Sequence, residues 1–284
     1  MTMNRVIVST DCVCDLPKKL IDKYSIPVMY YYMQMENARF QDINEINSDS
    51  ILEYIEKDKK MAASMNASAE EYKDFFLKQT EGGKRKLIHI CLAKNTGGGF
   101  DAATEAAKDI DNVYVVDSGK LSGGTGLLVL VAADLARKGA TAEIILQELE
   151  RVREKVDCSF TVKSTQCLAY NKRFNQKLSN LLDSLSIHPI ITMKNSKMVL
   201  GGVCFGNMRQ YVCGYIQKTL RKKESISDDV VIIITAGCPY EMQQMILEEA
   251  QKHIQWKHIF VESASATVSC NCGSGSFGLL FFRK

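Results

Sequence analysis

Within the first 150 residues, strand-length apolar runs give way again and again to a loop and then to a stretch with helical periodicity. The runs at 6–9, 27–32, 86–91 and 112–116 have strand length, and the segments at 16–24, 48–58, 67–79, 100–109, 125–138 and 141–155 read as helices. Several ends are marked. Pro17 suits a first helical turn, Ser68 with Glu71 three residues on makes a capping box, and Gly139 stops the 125–138 helix. A strand–loop–helix rhythm of this kind predicts βαβ units around a parallel sheet, because parallel neighbours need a crossover that covers the sheet.

Beyond about residue 157 the rhythm changes. Runs at 187–193 and 198–204 flank Lys194-Asn195-Ser196, which reads as a hairpin. Further strands at 158–162, 230–235, 258–262 and 277–282 mix with helices at 177–185, 208–222 and 240–253. Hairpins among single helices predict a mixed or antiparallel sheet. The expected fold is therefore α/β in two domains. Residues 1–156 form an N-terminal parallel-sheet domain, and residues 157–284 a C-terminal domain with a mixed or antiparallel sheet.

Composition removes several classes of function. With 46% hydrophobic and 24% charged residues the chain reads as globular. A net charge of +3 without a basic stripe argues against a nucleic-acid partner. The longest apolar stretch, 127–133, is far short of the roughly twenty residues of a membrane span. The N-terminus lacks a secretory layout, so a cytoplasmic location without stable membrane insertion is expected. In that setting the 10 cysteines are expected as reduced thiols. The pairs Cys12/Cys14 and Cys270/Cys272 would each point two sulfurs one way on extended backbone, and would make a four-sulfur metal site only if the chain ends met. Small buried apolar side chains are the simpler reading. Trp256, between Gln255 and Lys257, is expected at the surface.

Four segments could carry chemistry. Ser9-Thr10-Asp11 ends the first strand, at the sheet edge where α/β proteins hold ligands, and Asp11 would either brace a loop or act as an acid or base. Thr96-Gly97-Gly98-Gly99-Phe100 lets backbone approach a guest, and the helix that follows offers free N–H groups to an anion, phosphate or carboxylate. A tight turn alone would also explain the glycines. Both nucleotide fingerprints fail there. Asp117-Ser118 with Leu121-Ser122-Gly123-Gly124-Thr125-Gly126 lies between a strand and a helix at the same edge, and Asn271-Cys272-Gly273-Ser274-Gly275 precedes the last strand. His89 is expected buried in mid-strand, and no Ser-His-Asp or Cys-His spacing assembles from His89, His188, His253 and His258.

In order and at these intervals, the motifs resemble the DegV family of bacterial fatty-acid-binding proteins over essentially the whole chain. Thr10-Asp11-Cys12-Val13-Cys14-Asp15-Leu16-Pro17 is similar to the family's TDSxADLP, Ser64-Met65-Asn66-Ala67-Ser68 to TSQPS, and Thr96-Gly97-Gly98-Gly99-Phe100 to LSGTY. Asp117-Ser118 with Ser122 and Gly126 matches DSxxxSxGxG, Leu168 to Arg173 parallels LxxGGR, His188-Pro189-Ile190 parallels KPI with Arg209 after it, and Asn271 to Gly275 stands where the family has HTGPG. The resemblance implies two α/β domains with a long-chain fatty acid between them, no cofactor and no catalysis by the chain itself. It also implies a fatty-acid kinase partner that phosphorylates the lipid's carboxylate for phospholipid synthesis. It places Ser64, Thr96, Gly97, Gly98, Ser122, Arg173, Asn271 and Gly273 near the head group. Gly97 and Asn271 replace a family serine and histidine, which changes how the head group is held or what the ligand is. Each buried methylene contributes about 0.8 kcal/mol, so a chain of about sixteen carbons would contribute on the order of 10 kcal/mol before the costs of binding. The alternative is an enzyme binding a phosphate-bearing small molecule at 97–100.

Overall fold

The computed structural model describes residues 6–58, 62–171 and 175–284. In chain order the first part runs β1 (Ile7–Asp11), α1 (Lys18–Tyr24), β2 (Val28–Met29), β3 (Tyr32–Met35), β4 (Ala38–Gln41), α2 (Ser48–Asp58), β5 (Ala63–Met65), α3 (Ala69–Gln79), β6 (Leu87–Cys91), α4 (Gly99–Ala107), β7 (Val113–Asp117), α5 (Gly123–Arg137) and α6 (Ala142–Arg153). It continues with β8 (Val156–Thr161), α7 (Gln166–Tyr170), α8 (Gln176–Ser184), β9 (Ile187–Lys194), β10 (Lys197–Phe205), α9 (Met208–Thr219), β11 (Ile226–Ala236), α10 (Tyr240–His253), β12 (His258–Ser263), α11 (Ala266–Cys272) and β13 (Ser276–Arg283).

The first lobe is built on a parallel sheet in the order β2-β1-β6-β7, and the second on a mixed sheet in the order β10-β9-β8-β13-β11-β12, parallel only between β11 and β12. This is the expected α/β architecture of two sheets with helices. The capping box forms as the spacing predicts, with Ser68 Oγ accepting from the Glu71 N–H and Glu71 accepting from the Ser68 N–H. Asn195 and Ser196 both take positive φ, 51° and 57°, which is what a two-residue turn needs to follow the twist of the β9–β10 hairpin.

Helix α5 packs between the lobes, touching β1 and β6 on one side and β8, β11 and β13 on the other. Ala, Leu and Val dominate its sequence, and it is buried on most of its surface. One core cluster therefore runs from Val8 and Ile90 through Leu127 and Leu128 to Ile232 and Leu280. A second core, under α9 and α10, holds Tyr211, Tyr215, Ile233 and Phe281.

Several local expectations need correction. The strand expected at 27–32 is broken, with only 28–29 in the parallel sheet as β2, and β3, starting at Tyr32, joins a small antiparallel sheet, β4-β3-β5, that was not expected. Helix α5 begins at Gly123, two residues inside the expected loop. Cys12–Cys14 is a 3-10 turn and Cys270 and Cys272 lie in α11, so neither pair has the extended backbone that a shared sulfur face requires. Trp256 is only 9% exposed, because its ring packs 5.8 Å from Phe281 in the second core. Among the described residues no helix is long and apolar enough to cross a membrane.

Candidate functional site

Strands β1 and β6 are neighbours, and their register sets Ser9 opposite His89. Ser9 Oγ lies 2.9 Å from His89 Nδ1, and His89 Nε2 lies 3.1 Å from Asp11 Oδ1. A carboxylate only accepts, so Nε2 donates to Asp11 and leaves Nδ1 to accept the Ser9 proton. A Ser-His-Asp constellation thus exists in space, assembled from residues 80 apart that no linear motif joins. It is nonetheless sealed. Ser9, Asp11 and His89 are at most 1% exposed, and Tyr72, Phe75 and Phe76 stand edge-on around the imidazole. Asp11 also accepts from Tyr72 Oη at 2.6 Å and Tyr31 Oη at 3.4 Å. A nucleophile that no substrate can reach performs no acyl transfer. Of the two readings of Asp11, bracing is the one its surroundings support.

Asp11, His89 and Cys91 are the one set of three close metal-capable groups among the described residues. Burial and the adjacent Asp11 push the Cys91 thiol well up, which keeps it protonated and a poor ligand. The Cys-x-Cys pairs form no such set. Burial raises Cys14 and Cys270 to about 12, so these thiols behave as small apolar side chains.

The open site lies between the lobes. A cavity of about 270 Å³ is lined by Leu92, Phe100 and Leu121 of the first lobe and by Cys158, Phe160, Leu168, Met198, Ile234, Val268, Phe277 and Leu280 of the second. No charged side chain lines it among the described residues. Ser64, Asn66, Thr96, Gly97, Gly98 and Asn271 supply polar groups to the lining, as do Ser122, Ser159, Thr235, Thr267 and Ser276. Most side-chain donors there are already engaged. Thr96 Oγ1 donates to Ala93 O at 2.5 Å, and the Asn271 amide donates to Thr267 O at 2.8 Å and Ser64 Oγ at 3.2 Å. Ser122 donates to Asp15. Two kinds of donor remain. Ser64 Oγ accepts from Asn271 but has no described partner for its own proton. The backbone N–H groups of Gly97, Gly98 and Gly99 likewise have no partner among the described residues, as expected of the first turn of α4.

The glycines hold that turn open. A Cβ on Gly98 would come within 2.9 Å of Asn66 Oδ1, and one on Gly99 within 1.8 Å of Tyr31 Oη. Tyr31 is itself tied to Asp11, so the sealed cluster sets the height of the turn above it.

Of the residues singled out in the sequence, Ser64, Thr96, Gly97, Gly98, Ser122 and Asn271 line this cavity. Gly273 is not among the lining residues. It ends α11 at φ 81°, with a Cβ position 3.1 Å from Cys167 Sγ. Arg173 lies outside the described residues. Sequence reasoning missed Tyr31, Asn66 and Val268. Asn66 comes from a segment read as a motif and Val268 from one given no reading, while Tyr31, in an expected strand, carried no signal at all.

The family model described as "Uncharacterised protein, DegV family" matches residues 5–284, and the chain belongs to that family. A DegV domain-containing protein of Clostridium acetobutylicum is 22% identical over 286 residues, covering 99% of this chain and 100% of its own. One of Clostridium perfringens is 26% identical over 209 residues, 73% of this chain and 75% of its own. Among solved structures, a DegV family protein of Thermus thermophilus described by its fatty-acid binding superposes with TM-score 0.85 at 21% identity, covering 99% and 100% of the two chains. The fatty-acid-binding DegV of Bacillus subtilis gives 0.84 at 20%, covering 100% of both. A stearic-acid-binding protein of Eubacterium ventriosum gives 0.84 at 19%, covering 99% of both. At these identities the likeness is one of fold.

Proposed function

We propose that this chain binds a long-chain fatty acid in the interlobe cavity, tail among the apolar residues and carboxylate at the 97–100 turn, and performs no chemistry on it. The observation that carries the reading is the pairing, among the described residues, of an apolar lining without charged side chains with backbone and hydroxyl donors on its wall that have no partner. Apolar lining rewards methylenes in proportion to the area they bury. A carboxylate needs few donors, and backbone N–H groups at a helix start supply them with a favourable dipole. Ser64 adds a hydroxyl. The similarity to structures described as fatty-acid binding supports the same ligand class.

Held this way, the carboxylate lies beside the exposed residues Ser64, Gly97 and Gly98, within reach of a second protein. A fatty-acid kinase is the partner that this arrangement suits: the carboxylate oxygen attacks the terminal phosphoryl of ATP, ADP leaves, and the acyl-phosphate serves phospholipid synthesis. Native mass spectrometry of protein purified from a bacterial host tests the carrier reading. One long-chain acid per chain is expected. Protein that carries no lipid and takes up none on incubation contradicts it. Adding the kinase and ATP should then convert the bound acid to acyl-phosphate.

A further inference from the structure

Helix α11 crosses between the lobes. By sequence it belongs to the second, between β12 and β13, yet its start is held by acids of the first. The Ser265 N–H donates to Asp15 Oδ1 at 2.8 Å, the Ala266 N–H to Asp42 Oδ1 at 2.8 Å, and the Thr267 N–H to Asp42 Oδ2 at 2.9 Å. Further contacts run the same way, among them Thr267 Oγ1 donating to Met33 Sδ at 3.7 Å. Ser48 Oγ and Ser269 Oγ are 2.7 Å apart, and Cys270 Sγ donates to Ala62 O at 3.1 Å. Asp15 and Asp42 are at most 5% exposed, and α11 contains no charged residue. The two acids therefore meet backbone N–H groups and the positive end of the helix. Farther along, α11 brings Val268 and Asn271 to the cavity and Asn271 to Ser64.

We propose that Asp42, with Asp15 beside it, is a positioning residue of the lipid site: it pins α11 to the first lobe and so fixes Asn271 against Ser64 at the head-group end of the cavity. For its effect on affinity this rests on the fatty-acid reading; for the pinning itself it rests on geometry alone. Aspartate is required because two N–H groups need two acceptor oxygens at once. Asparagine offers one oxygen and turns an NH₂ toward the second N–H. The Ser48 and Cys270 contacts remain in such a variant, so the helix loosens while the chain still folds.

Two measurements on the full chain separate the pinning from its consequence. In the lipid-free protein, Asp42→Asn should speed amide hydrogen exchange over 265–272 by about tenfold or more and leave β13 unchanged. In oleate titrations, Asp42→Asn should weaken binding about tenfold in the native background, but less than about twofold where Asn271→Ala has already removed the contact with Ser64. Unchanged exchange in α11, or equal weakening in both backgrounds, overturns the proposal. A native protein that binds no oleate sinks the fatty-acid reading, while the exchange result still decides the pinning. If Asp42→Asn does not fold, Ser48→Ala takes its place, with the same coupling to Asn271 expected at about threefold amplitude.

Discussion

The Ser9–His89–Asp11 cluster and the glycine turn at 97–99 both belong to β1 and β6 or the loop that follows, and they are built on opposite principles. In the cluster every polar side chain has a protein partner and none is more than 1% exposed. In the turn the backbone donors have no described partner, and Gly97 and Gly98 are open to the cavity. Residue type alone points the wrong way, since the catalytic-looking trio is sealed as a brace and the featureless glycines are the ones proposed to meet the ligand. What separates them is whether hydrogen bonding is complete. A satisfied buried network rigidifies its surroundings, whereas unsatisfied donors beside an apolar cavity are left for a guest.

The largest effect expected from probing this contrast concerns Asp15, which is buried and accepts from the Ser265 N–H and the Ser122 hydroxyl. Burial raises its carboxyl to about 7, while the unfolded chain titrates it near 3.9. Between these values the folded protein holds a proton that the unfolded chain has lost. The stability Asp15 contributes is complete below about pH 4 and falls away as pH rises through 7, a change on the order of 4 kcal/mol. Asp42, also raised by burial, adds with the same sign. Denaturant unfolding across pH 4–8 should show the decline, and Asp15→Asn should flatten it. Asparagine tolerates the left-handed backbone at this position, where φ is 47°.

Next in size is Gly99→Ala, which drives a methyl into Tyr31 Oη and so links brace to binding turn. Overpacking of this kind costs about 2–3 kcal/mol. Denaturation midpoints should fall accordingly, and adding Tyr31→Phe should restore part of the loss by removing the hydroxyl.

Ser64→Ala acts on the binding side alone. Losing one hydroxyl donor to a carboxylate should weaken oleate about tenfold by calorimetry, with thermal stability unchanged because Ser64 is exposed. Ser9→Ala, the smallest, acts on the brace alone. It should cost about 1 kcal/mol of stability and leave oleate affinity unchanged. A large loss of binding in Ser9→Ala would erase the distinction between the two regions.

How much of this was readable in the sequence follows the same physics. The parallel strands and long helices announced themselves because they are buried and periodic, as β6 and α10 show. The β3–β4 hairpin did not, since Ala38 and Arg39 are exposed and Glu36-Asn37 is not a typical hairpin turn. Helix α11 was hidden for another reason. Ala-Thr-Val-Ser-Cys-Asn-Cys contains few strong helix formers, and the acids that hold its start lie more than 220 residues away. The glycine turn was legible as a stretch where backbone could approach a guest, with a plain tight turn as the other reading. The contact between Asn271 and Ser64 was not, because it exists only once α11 is in place.

The central claim is that the lipid's carboxylate is held at the start of α4. Amide chemical shifts followed by NMR during oleate titration test it most directly. The N–H signals of Gly97, Gly98 and Gly99 should move first and saturate at one oleate per chain, while those of Ser9, Asp11 and His89 stay in place. Saturable binding that leaves the three glycine amides unmoved would contradict the account.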